Sequence, residues 1–349
     1  MDIKNLIIDQ LKEKGIVRVG DIVQLTGFSR VYVHRFFREL LEEGKIVLMG
    51  KANQAHYLPT GADEAVKQAK AYRVHRILQN IDLKEDIVME EIKKESAIFD
   101  EISSNTAGIV SYAFTEMLNN AIEHSKSKAI DILMVKTPER IRFDVSDRGV
   151  GIFNNIIEKK GLNTPLEAMQ DLIKGKQTTA PAFHSGEGIF FTSRIADCLD
   201  IRSFQKNLIF DNIVGDIFVK DTKRVLVGTR VSFSIGLDLK KTLTDVFNQY
   251  ADDSFEFSKT TVKVKLFREG VEYLSRSQAR RIAAGLEKFK VVELDFSGVE
   301  TIGQAFADEI FRVWQTQHSD IRIISVNAGE NVLFMVKHVA PDLQLVNNL

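Results

Sequence analysis

Four short stretches constrain the fold of this chain more than any other part of it: EMLNNAIEH (Glu116 to His124), DRGVG (Asp147 to Gly151), HSGEGIF (His184 to Phe190) and GTRVSF (Gly228 to Phe233). The first lies on a helix, because Val110, Ala113, Phe114, Met117, Leu118 and Ala121 recur at helical spacing as a buried stripe. That stripe leaves Glu116 and Asn120, one turn apart, on its flank, where a helix borders a cleft rather than a core. The second stretch follows the strand RIRFDVS. Its Asp147 ends the strand as a hydrogen-bond acceptor, and Gly149 and Gly151 let the backbone pass close to another group. The third sets Gly186 and Gly188 just before the apolar helix GIFFTSRIADCL, where free backbone amides and the positive helix end favour an anion. The fourth is a strand that carries Thr229. Taken singly, these are an ordinary surface pair, a β-turn, a glycine turn and a strand threonine; their order and context give them a joint meaning.

The rest of the chain supplies the frame. At 349 residues it exceeds one ordinary core and implies two or three domains. The fold class predicted is multidomain α/β. Residues 1–60 read as three short helices and a β-hairpin: Ile3, Leu6, Ile7 and Leu11 show helical periodicity, Gly27 marks a turn, and Ser29 caps a helix with Val33, Phe36, Phe37, Leu40 and Leu41 on one face. Residues 61–104, rich in Lys and Glu and with Val74, Ile77, Leu78 and Ile81 at helical intervals, read as a helical connector. Residues 105–237 alternate helix and strand as an α/β sandwich, with a short helix expected from Pro165 to Ile173. Over 238–349 the alternation restarts as strand TVKVKLF, helix SRSQARRIAAGLEKF with a Ser275 and Gln278 capping box, strand VVELDFSG, helix QAFADEIFRVW, strand IRIISV and helix ENVLFMVKHV. That order predicts a small, largely parallel sheet with helical crossovers.

In order, spacing and residue type, the four stretches resemble the Bergerat-type ATP site of the GHKL family, which includes histidine kinases, anti-sigma-factor kinases, type II topoisomerase ATPase subunits and heat-shock chaperones. The resemblance implies ATP and Mg²⁺ as ligands. It casts Glu116 as the group that orients or deprotonates the attacking water, and Asn120 as a ligand completing an octahedral magnesium shell beside phosphate oxygens. Asp147 would accept the exocyclic amine of adenine, Gly149 and Gly151 would pass the ring, Gly186 and Gly188 would face the phosphates, and Thr229 would bond near adenine. The polar segment between the glycine boxes would be an ATP lid. In it, Lys174, Lys176, Thr178, His184 and Ser185 are candidates to reach the γ-phosphate.

The flanks carry resemblances of their own. Residues 1–60 resemble a winged helix-turn-helix domain; this implies DNA as a partner, met as a dimer by Tyr32, His34, Arg35 and Arg38 in the major groove and Lys51 in the wing. LDFSGVETIGQAFADEIF resembles the STAS-like module found after GHKL ATPases, which implies protein binding. The phosphorylated serine of anti-sigma antagonists is absent, with Gln304 and Ala305 in its place and Thr301 the nearby hydroxyl. His75 lacks the acidic neighbour and downstream proline of a phosphoacceptor histidine, so a sensor kinase is not expected. A net charge of −1 gives no global attraction to nucleic acid or membrane, and the single Cys198 excludes an intramolecular disulfide framework. With no apolar run of roughly 18 residues and no signal-peptide pattern, a cytoplasmic protein without membrane contact is predicted. The function predicted is that of a regulator in which ATP binding and slow hydrolysis control DNA or protein binding; a serine/threonine kinase acting in trans and a nucleotide-gated scaffold without turnover are the alternatives.

Overall fold

The computed structural model describes residues 2–49, 56–60, 72–176, 187–252, 254, 256–267 and 274–341. Two compact units divide the chain, 1–73 and 74–349.

In the first unit, α1 (Ile3–Lys14) is capped by Asp2, whose carboxylate accepts the amides of Lys4 and Asn5. After α2 (Val19–Thr26), Gly27 takes a left-handed φ of 71°, and Ser29 caps α3 (Arg30–Glu42) by accepting the Tyr32 amide. Strands β1 (Ile46–Met49) and β2 (His56–Pro59) pair antiparallel. Ile3, Ile7, Leu11, Ile22, Val33, Phe37 and Leu40 form one small core, closed by Tyr57 of β2, whose ring lies 4.3 Å from that of Phe37. The three helices and the strand pair therefore form where the apolar spacing places them.

The second unit begins with a departure from the sequence reading. Arg73–Gln79 is not a helix but β3, the edge strand of a five-stranded sheet in which β4 (Ala129–Lys136), β5 (Arg140–Asp147), β6 (Cys198–Asp211) and β7 (Asp216–Gly236) complete the order β3-β4-β5-β7-β6. Along it Val74, Arg76 and Leu78 are half-buried while His75 and Ile77 are exposed, a period of two. The 74, 77, 78, 81 spacing fits a helix equally well in isolation, and pairing with β4 decides against it. The His75 imidazole sits 2.9 Å from Asp131 of β4, a cross-strand pair. The helical part of the expected connector is α4 (Glu85–Glu95), which buries Val88, Met89 and Ile92. The sandwich thus starts some thirty residues before the expected Asn105.

Helix α5 (Ser104–His124) crosses the sheet with the predicted stripe buried. β4 (Ala129–Lys136) and β5 (Arg140–Asp147) pair antiparallel, and Phe143 of β5 stacks on Phe233 of the neighbouring strand at 4.8 Å and meets Phe114 of α5 edge-on at 5.4 Å. This aromatic layer holds α5 against the strand that ends in Asp147. Next come α6 (Ile152–Lys160), α7 (Pro165–Lys174), α8 (Gly188–Ile195) and the long antiparallel pair β6 (Cys198–Asp211) and β7 (Asp216–Gly236).

Helix α9 (Leu243–Tyr250) leads to three parallel strands, β8 (Lys259–Lys263), β9 (Val291–Asp295) and β10 (Arg322–Val326), ordered β10-β9-β8. Their crossovers are α10 (Arg276–Ala283), with the predicted Ser275 and Gln278 capping box, and α11, which opens as Gln304–Ala307 and continues through a π-helical stretch, Asp308–Trp314. Helix α12 (Glu330–Val339) follows. The small parallel sheet is the one the alternation predicts, but it does not stand apart. Phe257 lies 4.6 Å from Phe190, 5.0 Å from Phe191 and 5.3 Å from Phe289, so one hydrophobic core runs from the five-stranded sheet into the three-stranded one.

Candidate nucleotide site

A cleft of about 170 Å³ lies between α5 and the segments facing it. Glu116, Asn119, Asn120 and His124 line it from α5, Asp147 from the end of β5, and Ile152, Asn155 and Ile156 from α6. Leu172 of α7, Glu187 and Gly188 at the start of α8, and Thr229 and Val231 of β7 complete it. The structure thus brings Glu116, Asn120, Asp147, Gly188 and Thr229 together from four separated stretches. The lining mixes apolar side chains such as Ile152, Ile156, Leu172 and Val231 with the polar flank of α5.

Asp147 is held by two backbone amides. Its Oδ1 accepts the amide of Gly149 at 2.8 Å and that of Thr229 at 3.3 Å. Burial pushes the carboxyl above the ordinary aspartate range, against the hydrogen bonds from Gly149 and Thr229, which favour the ionised form. The Thr229 hydroxyl accepts the Ile152 amide at 2.9 Å. The residue at the N-cap of α6 is Gly151, with φ 81° and no side chain, so a threonine from β7 satisfies the first helical amide from outside. Through its amide and its hydroxyl, Thr229 therefore ties β7, the Asp147 carboxylate and the start of α6 together.

The glycines act by close approach. A Cβ at Gly149 would stand 1.7 Å from the carbonyl oxygen of Ser125, which accepts the Val150 amide. Neither Gly149 nor Gly151 is among the residues lining the cleft; Gly151, with φ 81°, leaves room for Ser203, whose Oγ a Cβ there would meet at 2.5 Å, and for the Phe204 ring. Gly228, with φ 83°, would bring a Cβ within 2.3 Å of the Asp147 carbonyl, a requirement the GTRVSF stretch carries but that sequence reasoning did not assign. A Cβ at Gly188 would meet Glu116 Oε2 at 1.8 Å, which shows how closely the start of α8 approaches that carboxylate.

Glu187 is a cleft residue the sequence reading missed, although it lies inside the HSGEGIF stretch. Burial first, then the nearby carboxylates of Glu116 and Glu187, raises the Tyr112 phenol well above its ordinary value, so both acids share one electrostatic neighbourhood. Asn155, Leu172, Ile152 and Ile156 were also missed, because helix-face residues betray no site without their neighbours.

Lys176, predicted to reach the phosphate, points elsewhere. Its ammonium lies 3.2 Å from the Lys288 carbonyl and over the rings of Phe257 and Phe289. Lys174 is likewise turned away and buried. Both ammonium groups find backbone carbonyls of the C-terminal domain instead, Lys174 those of Arg281 and Ala284 and Lys176 that of Lys288, and Gly175 between them takes a φ of 83° at the end of α7. Thr178, His184, Ser185 and Gly186 lie outside the described residues, as does Lys51.

In the first unit Tyr32, His34, Arg35 and Arg38 are exposed along α3. Arg35 is engaged by Glu39 at 2.9 Å, and Tyr32 packs edge-on between Phe28 and Phe36. In the three-stranded sheet, Asp295 Oδ1 accepts the Ser297 hydroxyl at 2.6 Å and the Asn327 amide at 2.9 Å, so the Asp-x-Ser pattern builds the turn that closes β9. Among the described residues no group of three or more His, Cys, Asp and Glu could hold a metal ion, and no helix is long and apolar enough to cross a membrane.

The family model for a histidine kinase-like ATPase domain matches residues 87–209, and that for a STAS-like domain of unknown function matches residues 278–333. The first match contains Glu116, Asn120, Asp147 and Gly188. No curated protein matches the chain.

Proposed function

We propose, for a chain that carries a histidine kinase-like ATPase domain ahead of a STAS-like domain, that the cleft binds ATP·Mg²⁺ and hydrolyses it slowly as a regulatory signal. The convergence of Glu116, Asn120, Asp147 and Thr229 on one cleft is the observation that carries this reading. Asp147 is buried, and its Oδ1 is already fixed by two backbone amides, so the carboxylate is oriented in advance to accept the amine of an adenine ring. Asn120 offers an amide oxygen one turn from Glu116, and a magnesium ion that takes one protein oxygen fills its shell with phosphate oxygens and water. The ion would neutralise phosphate charge. Glu116 would take the proton of the attacking water.

Calorimetric titration of the whole chain with ATP tests this. Chelating Mg²⁺ should weaken binding by about tenfold or more, and Asn120→Ala should shrink that difference. Equal affinity with and without the metal removes the magnesium role, and no binding at millimolar ATP removes the reading itself.

The output side of the proposal is DNA for the N-terminal unit, resembling a winged helix, and a protein for the STAS-like domain, with the chain acting as a homodimer on DNA. Exposed His34, Arg38 and Tyr32 on α3 support the DNA part, whereas Arg35 is drawn toward Glu39. Pull-down of genomic fragments on the immobilised chain should enrich a discrete set, in an amount that changes with ATP. Recovery of the input distribution under both conditions would sink the transcriptional reading.

A further inference from the structure

Helix α7 belongs to two structures at once. Its Leu172 lines the nucleotide cleft. Two of its polar side chains reach the C-terminal domain: Gln170 Nε2 donates to the Leu266 carbonyl just after β8 at 2.8 Å, and Lys174 Nζ donates to the carbonyls of Arg281 and Ala284, each at 2.7 Å. Those two carbonyls belong to the last turn of α10, where the unpaired helix-end carbonyls favour a cation. In the opposite direction, the Thr260 hydroxyl of β8 donates to the Lys174 carbonyl at 2.6 Å. Gln170, Lys174 and Thr260 are 5 %, 3 % and 0 % exposed, so each bond is made away from water, where losing a partner is costly. Burial also draws the Lys174 ammonium down to about 8, against the nearby carboxylates of Asp171 and Glu287, which favour its charge, and its Nζ lies 5.3 Å from the centre of the Phe267 ring.

The next residue extends the joint. A Cβ at Gly175 would stand 2.7 Å from the Phe190 ring and 2.9 Å from that of Phe257. Phe190 lines the cleft, and Phe257 packs between it and Phe289. Two walls of the cleft, Leu172 and Phe190, therefore rest on residues of the C-terminal sheet and the segment leading into it.

We propose that the C-terminal domain is a positioning element of the nucleotide site: Thr260 and the carbonyl end of α10 hold α7 so that Leu172 and Phe190 close on the nucleotide. Lys174 is a positioning residue in this scheme, not a phosphate ligand. Coupling between two sites is reciprocal, so nucleotide binding must in turn tighten the contact among α7, β8 and α10. Whatever binds the STAS-like domain can then act on the nucleotide without touching it. This inference rests on the ATP reading above.

Thr260→Val in the full chain removes one buried hydrogen bond and keeps the side-chain volume. It should weaken ATP·Mg²⁺ binding by about five- to tenfold while turnover at saturating ATP stays within about twofold, and Thr260→Ser should restore affinity. In the unaltered chain, ATP·Mg²⁺ should slow amide hydrogen exchange in residues 259–263 and 276–284, a readout that needs no variant to fold. A folded Thr260→Val that binds ATP as the parent does, or exchange in those residues that ignores ATP, overturns the coupling alone. No nucleotide binding to the parent overturns the ATP reading together with it.

Discussion

Glu116→Ala should lower ATP turnover by about 10²–10⁴-fold, the usual contribution of a positioned general base, and leave the dissociation constant for ATP within about threefold of the parent value. The asymmetry follows from where the carboxylate sits. Glu116 projects from the flank of α5 into the cleft, one turn from Asn120 and against the start of α8, where Gly188 makes room for it. The Tyr112 phenol feels the carboxylates of both Glu116 and Glu187, so Glu116 lies in an acidic part of the cleft. A group that activates water is needed in the transition state and not for binding. Steady-state phosphate release together with calorimetric ATP binding separates the two effects. Turnover equal to the parent's would remove Glu116 from the chemistry, and a large loss of affinity would reassign it to binding.

Asp147→Asn should weaken ATP binding by about 5- to 150-fold, the range expected for about 1–3 kcal/mol from a mispaired buried polar group. The substitution keeps an oxygen that can still accept the amides of Gly149 and Thr229, so the loop and the Thr229 cap on α6 should survive. What changes is the second position of the head group, where an acceptor becomes an amino donor that, in the proposed binding mode, would face the exocyclic amine of adenine. Inosine triphosphate, which carries a carbonyl at that place, should gain relative to ATP in the variant. If the ratio of the two affinities matches the parent's, Asp147 does not read the base.

Acid should act on the same residue. Because burial raises the Asp147 carboxyl in the folded chain, protonation begins at a higher pH than in an ordinary aspartate, and ATP affinity should start to fall there. The stability sign is the reverse of the usual carboxylate case. The folded state holds its proton more tightly than the unfolded one, so this group opposes folding above its folded value, and the opposition disappears as pH falls below the ordinary aspartate value.

The candidate site was legible in the sequence where its features are local. The buried stripe of α5 needs only a 3.6-residue period, and this alone sets Glu116 and Asn120 on the flank. Strand RIRFDVSD ends at Asp147 as its alternation demands, and Gly149 is a glycine because the loop must pass the Ser125 carbonyl. Glu187, Leu172 and Asn155 carried no such signal. Their part in the cleft depends on which helix ends meet across it, and spacing within one segment does not encode that.

What the sequence by itself determined was the identity of the elements around the cleft and the chemistry they bring, because helix stripes, caps and tight glycine turns are properties of neighbouring residues. Only the tertiary structure decided that Val74, Leu78 and their neighbours form an edge strand, since a short apolar pattern compatible with two periods takes the one that finds a hydrogen-bonding partner, here β4. It also decided that Lys174 and Lys176 turn from the cleft to the C-terminal domain. A lysine beside a glycine can point either way, and the carbonyls of Arg281, Ala284 and Lys288, more than a hundred positions later, supply the partners that settle it.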